Sequence, residues 1–324
     1  MGTAERISRK AIRFANGAVN FCVLIAVLLL LSFGGYALWD YGQVYHAAGA
    51  EHYATYKPTN ANGDLSFQDL KAVNKDVVSW LTVYGTHIDY PVVQGENNLK
   101  YINTDAKGRY SLSGAIFLDT GCSPDFSDFN SIVYGHHMEN TVMFGEIGMF
   151  SDKGYFDARE YGSLYFDGKE HGLEFFAFVH ADAYDESVYR IKISGQAAEQ
   201  AYLDLLSQIA TNIRSEVQVT PDDRIVMLST CSANSTNGRD ILIGKITDTV
   251  HDDPFATEKT DNTKATPTIK ALPGVLAQIP VTARVIIAGS LSLLILLAIV
   301  LTYKSKKRRS RKNGGAPSGG KGDK

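Results

Sequence analysis

The stretch IVMLSTCSANSTNGRDILIGKI, residues 225–246, contains two apolar runs joined by a polar loop. The first run, residues 225–230, leads directly into Cys231, and the second, residues 241–246, lies just after Arg239. Short apolar runs bounded by turn-forming residues are typical of buried β-strands. The stretch therefore predicts two neighbouring strands with a cysteine and an arginine at their shared end.

Strand-like patterns continue upstream of this pair. With the pair included, they predict eight strands, at residues 77–83, 88–94, 115–118, 131–134, 163–166, 173–184, 225–230 and 241–246. Asp167-Gly168 is a hairpin signal between two of them. Eight short strands with turn signals favour a closed or nearly closed β-barrel. Residues 196–213 instead have apolar side chains at helical spacing, which predicts a long helix inserted before the strand that carries Cys231.

Both ends of the chain are basic, although the net charge is only −3. Residues 1–18 contain four Lys or Arg and residues 304–324 contain nine, so the part between them is acidic. This balance argues against binding of nucleic acid. Each basic end adjoins an apolar segment, residues 19–39 and 285–303, that is long enough to cross a membrane as a helix. Because Lys and Arg stay on the cytoplasmic side, both termini are predicted to be cytoplasmic and the body extracellular.

These features divide the chain into seven predicted segments. They are a cytoplasmic N-terminus, a transmembrane anchor, a helical stalk, an extracellular folded domain, a linker, a second transmembrane helix and a cytoplasmic tail, at residues 1–18, 19–39, 40–63, 64–250, 251–284, 285–303 and 304–324. A cleaved signal peptide is the alternative to the anchor, because Ala48-Gly49-Ala50 has the small residues of a cleavage site, although it lies well past the apolar core.

Three residues at predicted strand ends have side chains suited to acyl transfer. Cys231 ends its strand beside a polar loop, where a thiol is accessible. His136 ends the strand in SIVYGHHM, and an imidazole exchanges protons near neutral pH. Arg239 opens the next strand, where its cation can stabilise a developing oxyanion. Taken alone, Cys231 is equally interpretable as a buried structural cysteine, and the adjacent His137 is interpreted as structural.

Three segments of the sequence, NSIVYGHHM, IVMLSTCS and RDILIGKI, resemble the His, Cys and Arg segments of the sortases, the cell-wall transpeptidases of Gram-positive bacteria; they lie at residues 130–138, 225–232 and 239–246. The helix before the Cys strand, the stalk and the segment MFGEIGMF resemble class B in particular. The resemblance implies a mainly β fold, an eight-stranded sortase β-barrel with N-terminal helices, flanked here by two transmembrane helices. It also implies a bacterial membrane enzyme with no cofactor and no metal.

The resemblance implies roles for individual residues. Cys231 would attack a threonine carbonyl in a C-terminal sorting motif, His136 would exchange protons with the leaving and incoming amines, and Arg239 would hold the substrate and the oxyanion. The residues implied to bind the substrate are Tyr134 and Ser229, which would flank the pocket, and Thr230 and Ser232, which would provide backbone beside the thiol, with the Ser232 N–H as a candidate oxyanion donor. The implied partners are surface proteins or pilins with a C-terminal sorting signal, and an amine of a cell-wall precursor or pilin as acceptor.

Other functions stay open at this point. A membrane-anchored cysteine endopeptidase would use the same Cys and His with water as acceptor. A non-enzymatic surface adhesin would need the anchors but not the Cys/His/Arg set. Zinc binding by His136, His137, Glu139 and Cys231 lacks metal-binding spacing. A second transmembrane helix is commoner in pilin-polymerising sortases, so a role in pilus assembly is open, and IPVTA at residues 279–283 is either a juxtamembrane turn or itself a sorting signal.

Overall fold

The computed structural model describes residues 3–58, 65–139, 141–232 and 237–256. Nine strands in this part of the chain form one sheet. They are β1 (Val77–Val83), β2 (Asp89–Val93), β3 (Ile116–Leu118), β4 (Asn130–Tyr134), β5 (Tyr161–Phe166), β6 (Lys169–Asp182), β7 (Ala210–Ile213), β8 (Arg224–Cys231) and β9 (Gly238–Thr247). All eight predicted strands are present, and β7 is the additional one.

Four α-helices accompany the sheet in the described residues. They are α1 (Thr3–Ala48), α2 (Leu65–Val73), α3 (Lys153–Ala158) and α4 (Gln196–Ile209), with 3-10 helices at Ala50–His52, Ala54–Tyr56, Lys100–Ile102 and Ile147–Ser151. α1 contains the predicted anchor, and within the described part of the chain it is the one helix long and apolar enough to cross a membrane. The chain beyond residue 256, with the predicted second transmembrane helix, the basic tail and residues 279–283, lies outside the described residues.

The sheet closes on itself into a barrel of eight strands. Neighbouring strands follow the order β5-β1-β2-β3-β4-β8-β9-β6, and β6 pairs in turn with β5. The β5–β6 turn is Asp167-Gly168, where both residues have positive φ angles, 50° and 75°. This backbone is the one that a two-residue type I′ turn needs, so the predicted hairpin is confirmed and it closes the barrel.

The end of the helix predicted over residues 196–213 is wrong. α4 ends at Ile209, and the next four residues form β7, which pairs with β6 beyond the part of β6 that β5 occupies. Asn212 explains the change, because its side-chain amide donates to the carbonyls of Phe150 and Ser151 at 2.8 and 2.9 Å. These distant acceptors stabilise an extended segment where the local apolar spacing favours a helix.

Side chains of β8 alternate between two apolar cores. Val226 and Leu228 belong to the main core inside the barrel. Ile225 and Met227 belong to a second core on the outer side of the sheet, which α4 covers. Since successive strand residues point to opposite faces, the alternation carries Cys231 to the outer side, with Met227. The thiol is thus directed away from the barrel core.

Candidate active site

Parallel pairing of β4 with β8 brings two of the predicted catalytic residues to one edge of the barrel. Tyr134 is the register partner of Ser229, and the Gly135 N–H donates to the Ser229 carbonyl at 3.2 Å. The two strands run in the same direction, so His136 and Cys231, each two residues further on, reach the same edge. Neither the spacing of these residues in the sequence nor a local turn dictates this proximity; the strand register does.

Antiparallel pairing of β8 with β9 adds the third residue. Cys231 and Arg239 are register partners at the end of that ladder. The Cys231 side chain is exposed, while Arg239 is partly buried and its Nη1 donates to the Gly238 carbonyl at 3.0 Å. A thiol, an imidazole and a guanidinium therefore share one end of the barrel. We refer to residues 134–136, residues 229–231 and Arg239 as the reactive edge.

A backbone carbonyl orients the His136 imidazole. Its Nε2 lies 2.9 Å from the carbonyl oxygen of Ile102, at the end of a 3-10 helix in the β2–β3 connection. A carbonyl oxygen can only accept, so Nε2 is the donor and carries a hydrogen. In the neutral ring the proton-accepting nitrogen is then Nδ1.

Two stacked tyrosines form one wall of the reactive edge. The rings of Tyr134 and Tyr189 lie 6.4 Å apart at an angle of 25°. The Tyr189 hydroxyl is 2.8 Å from Ser229 Oγ, and the Tyr134 hydroxyl donates to Asp119 Oδ2 at 3.2 Å. The wall links β4, β8 and two loops, which limits the movement of the side chains next to Cys231.

Both phenols stay protonated at neutral pH. Burial raises the pKa of Tyr189 to about 12, and the proximity of Cys231 adds to the rise while the bond to Ser229 and the Arg239 cation oppose it. Burial also raises the pKa of Tyr134, and the Asp119 carboxylate reinforces that effect. The two hydroxyls therefore add no negative charge to the wall of the reactive edge.

Thr230 and Ser232 were expected to contribute backbone groups beside the thiol, and the structure differs from this expectation at the Ser232 N–H. The Thr230 side chain is buried, 2% exposed, on the opposite face of β8 from Cys231, and its hydroxyl has no hydrogen-bond partner among the described residues. The Ser232 N–H donates to the Gly238 carbonyl at 2.8 Å. The ladder thus extends one residue past Cys231, and this N–H is not available as an oxyanion donor in this conformation, contrary to our expectation.

The described residues contain no group of three or more His, Cys, Asp or Glu side chains that could hold a metal ion. His137, which the zinc alternative would require, forms a backbone bridge with Met143, and its Nδ1 is buried. Its backbone therefore helps to form the loop that follows β4.

Sequence reasoning missed three contributors to the site. Tyr189 and Asp119 lie in loops without periodicity and meet the reactive edge only through tertiary contacts. Ile102 contributes a backbone carbonyl, so its side chain gives no indication of the role. No local signal in the sequence identifies any of the three.

Comparisons with known proteins agree on one family. No family model matches this chain. Sortase B of Listeria monocytogenes is 32% identical over 192 residues, which are 58% of this chain and 77% of that protein. Sortase B of Staphylococcus aureus is 30% identical over 184 residues, 56% of this chain and 74% of that protein. Both matches extend over most of the relative's length.

Solved structures show the same similarity. Sortase B from the type II pilus of Streptococcus pneumoniae is 46% identical, with 56% of this chain and 99% of that chain covered and a TM-score of 0.50. The Staphylococcus aureus sortase B–substrate complex is 29% identical, with coverages of 57% and 86% and a TM-score of 0.53. A sortase B complexed with triglycine is 28% identical, with the same coverages and TM-score.

Proposed function

Because this chain belongs to the sortase B family, whose members are cysteine transpeptidases, we propose that it cleaves a C-terminal sorting motif after a threonine and transfers the acyl group to an amine. One observation carries the proposal: the strand register pairs Cys231 with Arg239 and brings both to the edge where β4 ends just before His136. Each residue then has a separate role in one acyl transfer.

In the first half-reaction the Cys231 sulfur, as thiolate, attacks the threonine carbonyl carbon. The carbonyl oxygen becomes an oxyanion, and the Arg239 guanidinium stabilises its charge. His136, protonated on both nitrogens, gives the Nδ1 proton to the departing amine as the C–N bond breaks. The products are a thioester on Cys231, a neutral imidazole and the free C-terminal fragment.

In the second half-reaction an amine attacks the thioester. His136 Nδ1 takes up the proton that the amine loses, and the Cys231 thiolate is released as the new amide bond forms. The Ile102 carbonyl favours these roles, because it engages Nε2 and leaves Nδ1 for proton exchange. Water in place of the amine would give hydrolysis, which is the endopeptidase alternative.

Substrate binding is assigned to the outer side of the reactive edge. Tyr134 and Ser229 would line the site through the wall they form with Tyr189. Thr230 and Ser232 would contribute backbone groups next to the thiol. For the Ser232 N–H to reach an oxyanion, its bond to Gly238 must first break.

The proposed partners are proteins with sorting signals and amine acceptors at the bacterial cell membrane. One sortase B structure is a substrate complex, another holds triglycine, and a third comes from a pilus, so both surface proteins and pilins are candidate substrates. We place the body outside the cell, held by residues 19–39 and 285–303 as two membrane spans with both termini cytoplasmic. Pilus polymerisation is the more specific possibility that the second span favours.

Trapping the acyl-enzyme tests the proposal. The full chain in detergent is incubated with a library of peptides, each with an internal threonine, and the protein mass is measured after a rapid acid quench. We expect an adduct on Cys231 equal to the peptide up to its threonine, released as an amide when triglycine is added. The matched control is Cys122→Ala, which keeps the nucleophile and should form the same adduct.

The products separate the candidate functions. Amide exchange with triglycine supports a transpeptidase, whereas hydrolysis at an unchanged rate in its presence supports the endopeptidase. Absence of any adduct or cleavage across the library would contradict both enzymatic functions.

A further inference from the structure

The Ile102 carbonyl that orients His136 occupies space that a side chain at position 114 would fill. Gly114 precedes β3 with a φ angle of +60°, a left-handed conformation that favours glycine. A Cβ at this position would lie 2.5 Å from the carbonyl oxygen of Tyr101 and 2.6 Å from that of Ile102. Both distances are far below a van der Waals contact, so any other residue must displace these two carbonyls.

Additional contacts fix the same turn from its other side. The Ala115 N–H donates to the Tyr101 carbonyl at 3.0 Å, which ties the start of β3 to the 3-10 helix. The Tyr101 ring is buried, and its hydroxyl donates to Asp76 at 2.8 Å and accepts from Asn74 at 2.9 Å. The turn is anchored by its Tyr101 side chain, so the clash at Gly114 cannot be relieved by a simple shift of the whole segment.

We infer that Gly114 is a positioning residue for acyl transfer: its lack of a side chain lets the Ile102 carbonyl accept from His136 Nε2, which leaves Nδ1 as the nitrogen that exchanges protons. The inference rests on the proposed function for its effect on turnover. Its structural part, the tautomer of the neutral His136 ring, is a property of the protein without substrate.

Displacement of the carbonyl changes the imidazole in two ways. The ring loses the bond that sets its rotation, and the neutral ring is no longer held with its hydrogen on Nε2. In molecules with the hydrogen on Nδ1, that nitrogen cannot accept the proton of an incoming amine. Rings that have lost their rotation or carry the wrong tautomer take no part in proton transfer, so the second half-reaction slows as the fraction of rings with both the correct rotation and the correct tautomer falls.

The test compares Gly114→Ala with Gly108→Ala in the full chain. Gly108 lies in the same connection with a φ angle of +78°, but a Cβ there would meet nothing within 4 Å. Both variants therefore carry the strain of a left-handed alanine, and only the first displaces Ile102. We expect kcat for amide exchange to fall about 10- to 100-fold in Gly114→Ala and to stay within about twofold of wild type in Gly108→Ala.

The tautomer of the neutral ring is read directly by ¹⁵N NMR of histidine-labelled protein, at a pH high enough that the His136 signals no longer change with pH, and His136→Gln is used to assign them. Under these conditions we expect wild type and Gly108→Ala to show His136 protonated on Nε2 alone and Gly114→Ala to show a mixture of the two tautomers. Equal losses of kcat in both glycine variants, or an unchanged tautomer in Gly114→Ala, would overturn the inference.

Wild-type protein alone can also overturn it. If Gly114→Ala does not fold, a neutral wild-type His136 ring with its hydrogen on Nδ1 and none on Nε2 is sufficient to overturn the inference. Lack of amide exchange by wild type, with Nε2 protonated, would instead count against the proposed function and leave the positioning of His136 standing.

Discussion

The reactive edge and the seam where the barrel closes are built in opposite ways. At the seam, β5 is paired on both sides, with β1 and with β6, and the tight Asp167-Gly168 turn sets the register. At the reactive edge, the ladder between the parallel strands β4 and β8 stops at Tyr134 and Ser229, so Cys231 has a register partner in β9 but none in β4. Pairing on both sides stabilises the seam, whereas the end of the β4–β8 ladder leaves the thiol of Cys231 exposed. Substitutions at the edge should therefore change activity with little effect on stability, and substitutions at the seam should do the reverse.

The largest expected effect is the loss of all turnover in Cys231→Ala. The exposed thiol makes no packing contribution that its removal would disturb, so the thermal midpoint should stay within about 2 °C of wild type. Peptide cleavage and amide exchange, followed by mass spectrometry, should both fall below detection. Near-normal transfer in this variant would show that the nucleophile lies elsewhere.

His136→Ala and Arg239→Ala should come next. Loss of the acid–base group is expected to lower kcat by about 10²–10⁴-fold, and loss of the guanidinium by about 10²–10³-fold. The double variant should lose little more than the worse single one, because the residues act in one step.

His137→Ala and Arg239→Lys are the matched controls for these two variants. The first removes the neighbouring imidazole and should keep most of the activity, and the second keeps the charge and should recover part of the loss. Full activity in His136→Ala, or unfolding of either alanine variant, would contradict the division between edge and seam.

Local sequence signals explain which parts of the fold and of the site could be predicted. Strands β1 to β6, β8 and β9 have local alternation or apolar runs, and the β5–β6 turn has its own residue signature, so the barrel was predictable. The Cys, His and Arg residues were identifiable because each adjoins such a strand. The end of α4 was not, since Asn212 is drawn into β7 by carbonyls about 60 residues away.

Within the site, the errors concern backbone groups. The Ser232 N–H was expected to be available, but the β8–β9 ladder extends to it through Gly238. The Ile102 carbonyl was not considered, because a backbone acceptor leaves no mark in the residue type. Which backbone groups are paired depends on tertiary register, and the sequence pattern alone does not specify it.

A substitution at the seam should show the reverse behaviour. Phe175 of β6 is fully buried. Its ring packs directly over two glycines: a Cβ atom at Gly162 of β5 would lie 3.1 Å from the ring, and one at Gly244 of β9 would lie 3.0 Å from it. Phe175→Ala would leave a cavity under three strands and lower the free energy of unfolding by about 3–5 kcal/mol. Urea unfolding measures this change, and kcat of the protein still folded should equal that of wild type.

Tyr110→Ala is the control for the loss of an aromatic ring, since Tyr110 is 78% exposed, and it should change the free energy of unfolding by less than about 0.5 kcal/mol. A Phe175→Ala protein that stays as stable as wild type but loses turnover would reverse the comparison.

The smallest expected effect concerns the two cysteines of the body, Cys122 and Cys231. They allow the reactivity of a buried thiol to be compared with that of an exposed thiol at the reactive edge. Cys122 is 5% exposed, and burial raises the pKa of its thiol from 9.0 to about 11, whereas Cys231 is exposed at the reactive edge. This rise in pKa leaves Cys122 with about 100-fold less thiolate at pH 8 than an ordinary cysteine, so iodoacetamide should label Cys231 and spare Cys122. Activity should disappear in step with the label on Cys231, and Cys122→Ala should be inactivated at the wild-type rate. Because the folded state favours the protonated thiol, the contribution of Cys122 to stability is complete below pH 9 and is lost as the pH rises towards 11, where its labelling should accelerate. Peptide mapping of the alkylated protein should find two free thiols in the active body; a disulfide between the two in active enzyme would contradict the role of Cys231 as nucleophile.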